Sequence, residues 1–261
     1  MKAIILAGGL GTRLGKYTEN MPKCMLEVMG KSLLQRQVDA YRRCGIDDIV
    51  VVRKHLAEKI AIPGVKYIDE TDYSTHMVVG LYCARSEFND DFILSYADLL
   101  FEDKVLKKAM ASEADIGVVV DDAWKDYWVA RHGSYLEDSE SLMIGKDDNI
   151  VSLGVSNPKP EEMDARYLGM IKFSKRSFSR MDEVYAKAKS ESWEKPWYTS
   201  KSFKKAYMTD FIQALIDHGV QVKAERIQNG WLEFDTVHDY ELVLDLAKKR
   251  ELDRFCKVQI D

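Results

Sequence analysis

The sequence predicts an α/β fold, a mixed, mostly parallel sheet flanked by helices with a small β-rich insertion. Three observations predict it. The apolar run Ala3-Ile4-Ile5-Leu6-Ala7 stops at Gly8-Gly9, the pattern of a buried parallel strand entering a tight turn. Strand-like and helix-like segments then alternate in a βαβ rhythm. A later strand, residues 91–98, stays apolar until Asp98, and ligands of open α/β sheets bind at such carboxyl ends.

Each element follows from local pattern. Gly8, Gly9 and Gly11 let the backbone turn and bring its N–H groups to a ligand. Thr12 and Arg13 add a hydroxyl and a cationic fork suited to phosphate oxygens. Met21-Pro22-Lys23 sets a rigid turn before a lysine. A helix opens at Lys31-Ser32 and runs to Cys44, with Leu33, Leu34, Val38 and Tyr41 at helical spacing, and Gly45 stops it. Residues 48–52 form the second strand, His55 to Ile60 a short amphipathic helix, and residues 65–68 a third strand. Helices are expected over 75–88 and 103–112, around the strand that ends at Asp98, with a further strand over 115–120.

Residues 121–157 change character. Aromatic and acidic side chains crowd there, the hydrophobic period is irregular, and a strand is expected over 150–153. Beyond it come a strand (167–173), a helix (177–189), a loop or lid (190–202), a helix (207–217), a strand (220–227) and a last helix from Val237. One domain over 1–261 is the simplest organisation. Residues 1–120 would be its N-terminal half, 121–245 its second half with the insertion at about 121–157, and 237–261 a C-terminal helix.

With 38 basic and 43 acidic residues mixed along the chain, the net charge of -5 leaves no basic footprint for nucleic acid. No run of about 18 apolar residues marks a membrane span, and no apolar leader precedes the first strand, so the chain is expected in the cytoplasm. Cys24, Cys44, Cys83 and Cys256 make neither a CxxC pair nor a zinc pattern and are expected as buried thiols. The glycine turn is neither a Walker loop, lacking GK[ST], nor the dinucleotide fingerprint, lacking GxGxxG.

The longer string LAGGLGTRL…MPKCMLEVMGKSLL resembles the N-terminal signature of the nucleotidyltransferases that activate sugar 1-phosphates and small phosphorylated alcohols. The resemblance implies a Rossmann-like, GT-A-like nucleotidyltransferase fold. It also implies that Leu6, Ala7, Gly8 and Gly9 hold base and ribose, that Arg13 neutralises leaving pyrophosphate, and that Lys23 contacts the phosphates. Asp98, in Tyr96-Ala97-Asp98, and Asp235, in Phe234-Asp235-Thr236, match the family's acidic residues for Mg²⁺. From the residues alone, helix N-capping is the natural reading of Asp235. Gly11, Thr12, Thr75, His76, Met77 and Asp98 complete the expected nucleotide site, with Lys23, Arg13 and Asp98 as its catalytic members.

Asp72-Tyr73-Ser74-Thr75-His76-Met77-Val78-Val79-Gly80-Leu81 resembles the T-N-M-x-x-S-L stretch of the phosphocholine cytidylyltransferase branch, with His76 for Asn and Gly80 for Ser. That branch implies CTP and a non-sugar acceptor such as phosphocholine, 2-aminoethylphosphonate, phosphoglycerol or a phosphorylated amino acid. Trp124, Tyr127, Trp128 and Tyr135 with Glu137 and Asp138 could cage a cationic amine, or simply pack a core or a dimer interface. Arg131 and His132 favour an anionic acceptor group instead. Lys172 and Asp210 resemble acceptor-side positions, and Trp128, Arg131 and Tyr167 complete the expected acceptor set. The reading is a Mg²⁺-dependent cytidylyltransferase. Its rivals are a sugar-1-phosphate uridylyl-, thymidylyl- or guanylyltransferase and a non-catalytic nucleotide sensor.

Overall fold

In the computed structural model, which describes residues 1–258, a seven-stranded sheet divides two layers of helices. The chain begins β1 (Lys2–Ala7), a kinked 3-10 segment (Thr12–Tyr17), and the small hairpin β2 (Glu27–Val28) and β3 (Lys31–Ser32). Next come α1 (Leu33–Arg43), β4 (Ile49–Arg53), β5 (Lys66–Asp69), α2 (Met77–Cys83), β6 (Phe92–Tyr96) and β7 (Leu99–Phe101). The middle holds α3 (Asp103–Met110), β8 (Ile116–Asp121), α4 (Lys125–His132), β9 (Glu140–Ile144), β10 (Ile150–Ser156) and β11 (Arg166–Phe173). It ends α5 (Phe178–Ser192), α6 (Met208–Asp217), β12 (Val222–Ile227), β13 (Trp231–Glu233) and α7 (Val237–Lys249).

The sheet order is β12-β8-β11-β6-β1-β4-β5. β11 alone runs against its neighbours β6 and β8; the other pairings are parallel. Alternation along β1 sends Ile4 to one core and Ile5 to the other. The Ile5 side packs under α1, α3, α4 and α7, and the Ile4 side under α2, α5 and α6. Ser32 caps α1 by accepting from Gln35 N at 3.2 Å, and Thr236 caps α7 by accepting from Asp239 N at 3.2 Å.

Several expectations need correction. Residues 55–60 form only a 3-10 turn, Ala57–Lys59, because Leu56 takes a left-handed conformation (φ 50°) that breaks any helix there. The 121–157 stretch begins with a helix, α4, before the β9–β10 hairpin. Its periodicity is hidden because α4 buries bulky Tyr127 and Trp128 together with charged Arg131. The C-terminal helix stops at Lys249, where Arg250 turns left-handed (φ 58°); residues 259–261 of the expected 237–261 helix lie outside the described residues. Among the described residues no helix is long and apolar enough to cross a membrane.

Candidate functional site

The chain leaves β1 for β4 and β5 on one side, then returns to β6 on the other, so strand order reverses between β1 and β6. A crevice opens at the carboxyl ends of strands at such a switch point. Here it is a cleft of about 950 Å³. Leu6, Gly8, Gly9, Gly11, Thr12, Arg13, Lys23, Thr75, His76, Met77, Asp98 and Asp235 all line it. Of the expected nucleotide residues, only Ala7 is absent from the wall.

Gly11 adopts a left-handed conformation (φ 65°), and a Cβ there would stand 3.0 Å from Thr18 and 3.2 Å from Lys23. Thr18 locks the turn by donating its hydroxyl to Gly11 O at 2.8 Å. Glycine thereby lets the turn close against the base of the lysine side chain.

Asp98 and Asp235 meet because β7 and β13 pair antiparallel, with Leu99 opposite Glu233. That register brings the residue before β7 and the residues after β13 to one end of the ribbon. Lys23 Nζ donates to Asp98 Oδ2 at 2.5 Å and to Asp235 Oδ1 at 2.6 Å. Burial lowers the Lys23 pKa, but the two carboxylates outweigh it and hold the ammonium above its ordinary range. Burial pushes Asp235 up; Glu233, Lys23 and Arg131 reverse that and hold it well below the usual carboxylate range. Glu233 goes the other way, raised first by burial and then by the Asp235 charge. Arg13, half-exposed at the mouth, lies 3.4 Å from Asp235 and 3.5 Å from Asp138.

Asp98 Oδ1 is buried without a hydrogen-bond partner. An orphaned carboxylate oxygen beside a second carboxylate is a hard donor set that fits Mg²⁺, which takes one or two carboxylates and draws further oxygens from substrate phosphates. Among the described residues no group of three or more His, Cys, Asp or Glu side chains is arranged for a metal, so the protein would supply only part of the ion's shell. Cys24 is buried and its thiol is pushed up to about 12, mainly by burial, which removes it as a nucleophile.

None of the five expected acceptor residues lines the cleft. Trp128 is fully buried, donates its indole N–H to Glu137 O at 2.8 Å, and packs with Trp124, Tyr127 and Trp231. Trp124, Tyr127 and Trp128 are thus core aromatics, not a cage open to solvent. Arg131 is buried against Trp128 and bonded to Asp239 at 2.9 and 3.0 Å, with Asp235 at 3.4 Å and Glu233 at 3.3 Å. It holds the acidic end of the ribbon from behind. Tyr167 bonds the cleft residue Tyr96 through their hydroxyls at 2.9 Å. Lys172 lies at the opposite edge of the sheet, because β11 runs antiparallel and pairs Lys172 with Ile93; it donates to Ser112 O at 2.5 Å. Asp210 accepts from Thr199 N (2.9 Å), Ser200 Oγ (2.5 Å) and Tyr207 N (3.2 Å), and so pins the 199–207 segment rather than facing a ligand.

Sequence reading passed over Lys54, Glu70, Glu140, Lys205 and Tyr207, all on the wall; Asp138, weighed there only as part of an amine cage, lines it too. For Lys54 and Glu70 a signal was present: each directly follows a strand, as Asp98 nearly does.

Residues 3–153 match the family described as MobA-like NTP transferase domain. The chain is 32% identical over 257 residues to a CTP:phosphoglutamine cytidylyltransferase of Campylobacter jejuni, covering 94% of this chain and 100% of that protein. It is 26% identical over 257 residues to a choline-phosphate cytidylyltransferase of Streptococcus pneumoniae, covering 95% and 99%. Among solved structures, the inositol-1-phosphate CTP transferase from T. maritima aligns at a TM-score of 0.70 and 20% identity over 98% of each chain. The CTP:phosphocholine cytidylyltransferase from Streptococcus pneumoniae aligns at 0.70 and 22%, over 94% of this chain and 98% of that one. At those identities the two structures establish the fold alone.

Proposed function

The chain belongs to the MobA-like NTP transferase family, and on that premise we propose that it is a CTP-dependent cytidylyltransferase acting on a small, non-sugar phosphate or phosphonate. One observation carries the reading. A lysine clamped between two carboxylates sits in the switch-point cleft of a chain that aligns nearly end to end with a CTP-using relative.

The reaction is an in-line displacement. An acceptor oxygen forms a bond to the α-phosphorus of CTP, the bond from that phosphorus to the β-phosphate bridge breaks, and pyrophosphate leaves with the electron pair. The acceptor oxygen is already ionised at neutral pH, so no general base is required. Backbone N–H groups of the Gly8–Thr12 turn receive the phosphates, and Arg13 at the mouth neutralises the leaving group. Lys23 offers its charge to the oxygens of the phosphorus under attack. Bound at Asp98 and Asp235, Mg²⁺ would supply charge neutralisation of the phosphates. The acceptor enters from the 121–245 half, where Asp138 and Glu140 face the cleft. Their charge favours an acceptor with an ammonium group, as a phosphorylated amino acid or phosphocholine has.

Pyrophosphate release tests this, with CTP, UTP, dTTP, GTP and ATP crossed against phosphocholine, 2-aminoethylphosphonate, glycerol phosphate, phosphorylated amino acids and hexose 1-phosphates. Release with CTP and one non-sugar acceptor is expected. Release with UTP, dTTP or GTP and a hexose 1-phosphate would overturn the reading in favour of a sugar-activating enzyme.

A further inference from the structure

Glu70 is buried just beyond the carboxyl end of β5, yet it belongs to the wall of the cleft. Its Oε1 accepts from Lys54 Nζ at 2.8 Å and from the Thr75 hydroxyl. Lys54 Nζ also donates to Thr75 O at 2.9 Å, and the Tyr73 hydroxyl donates to Lys54 O at 3.1 Å. These bonds fix the carboxylate and leave its Oε2 with no hydrogen bond among the described residues. Two glycines flank that oxygen. A Cβ on Gly80 would stand 3.0 Å from Oε2, and one on Gly8 would stand 3.9 Å from it. A fixed acceptor atom, its charge balanced by Lys54, thus opens between two residues that have no side chain. Leu6, Val52 and Met77 add apolar wall.

The position suits the far end of a nucleotide. Asp98 follows β6 and Glu70 follows β5, with β1 and β4 between. Three strand spacings, roughly 14 Å, separate those strand ends, room for a nucleoside between the phosphate-binding end and Glu70.

We infer that Glu70 determines base specificity: Oε2 accepts a hydrogen bond from the exocyclic amine of the base, so the cleft takes an amino-bearing pyrimidine and rejects one with a carbonyl at that place. The inference rests on the CTP reading above and names the residue responsible. A carboxylate only accepts. Cytosine presents a donor at that edge, whereas thymine and uracil present an acceptor. Two acceptors facing each other at the buried Glu70 leave both unsatisfied, which discriminates far more strongly than a missing apolar contact.

Calorimetric titration of the wild type with CTP, UTP and pyrimidin-2-one ribonucleoside triphosphate, which lacks the amine, tests this in the presence of Mg²⁺. CTP is expected to bind at least about a hundredfold tighter than UTP and at least about tenfold tighter than the analogue. In Glu70→Gln the CTP-to-UTP ratio is expected to fall to within about tenfold, because an amide presents either a donor or an acceptor. A wild type that binds UTP as tightly as CTP overturns both this inference and the CTP reading. Tight CTP binding with equal affinity for the analogue, or an unchanged ratio in Glu70→Gln, overturns only the role of Glu70. Thermal melting checks that the variant folds, and if it does not, the analogue comparison on the wild type decides alone.

Discussion

Asp98 and Asp235 share a single ammonium: Lys23 Nζ stands 2.5 Å from Asp98 Oδ2 and 2.6 Å from Asp235 Oδ1. The lysine therefore does two things. It offers charge to a phosphate, and until a ligand arrives it keeps two half-buried carboxylates compatible with the fold.

Lys23→Met removes both roles. Turnover is expected to fall by at least about a hundredfold, measured as pyrophosphate release. Without the cation the two carboxylates repel, so added Mg²⁺ should raise the melting temperature of the variant more than that of the wild type. An equal Mg²⁺ shift in both proteins would separate the lysine from the carboxylate pair.

Asp98→Asn keeps the shape and removes a charge. It is expected to fold, to lose at least about a hundredfold in rate, and to need more Mg²⁺ for half-maximal velocity. A folded variant with wild-type turnover would take Asp98 out of the machinery. Loss of turnover with retained fold would argue against a purely nucleotide-sensing role.

Arg131 answers to stability. Its guanidinium faces Asp239, Asp235 and Glu233 with no solvent exposure of the side chain. Arg131→Met leaves buried Asp239 without its counter-charge and is expected to destabilise the fold by about 3–5 kcal/mol, measured by urea unfolding. Arg131→Lys should recover only part of this, because an ammonium lacks the planar fork that spans Asp239. A change confined to acceptor KM would contradict this.

Trp128 separates core from cage. Being fully buried, it is expected to cost about 3–5 kcal/mol on truncation to Ala. Trp128→Phe, which keeps most of the packing, should leave acceptor KM unchanged. A large rise in KM with unchanged stability would return Trp128 to the acceptor site.

His76 gives the pH dependence a sign. Burial lowers its pKa below the ordinary 6.5; Lys205 and Lys54 push the same way, and Glu70 opposes them. As pH falls below 6.5 the unfolded chain takes up this proton before the folded chain does, so stability falls with pH in that window. Scanning calorimetry from pH 7.5 to 5.5 should record the wild type losing melting temperature relative to His76→Gln. His132, also lowered chiefly by burial, acts with the same sign in both proteins, and Glu233, raised by burial, with the opposite sign in both.

The architecture and the nucleotide side were legible in the residues because both are local. A buried strand announces itself by apolar continuity, and the turn after it by glycine. Leu6, Gly8, Thr12 and Asp98 could therefore be placed at one sheet edge from local pattern, and Lys23 joined them through the family resemblance. The acceptor side was not legible. Trp128, Lys172 and Asp210 have the chemistry of ligand contacts, and only packing shows that each is already spent within the protein.

By itself the sequence determined the α/β class and the glycine turn, since each is written in consecutive residues, and its family resemblance singled out the two carboxylates. The tertiary structure decided which side chains remain free to meet a ligand. It decided that β11 runs backwards and carries Lys172 to the wrong edge, that the β7–β13 register brings Asp235 to Asp98, and that Lys54 occupies one oxygen of Glu70 and leaves the other open. The physical reason is that a polar atom's availability depends on partners distant in the chain, and residue type and local spacing carry no record of them.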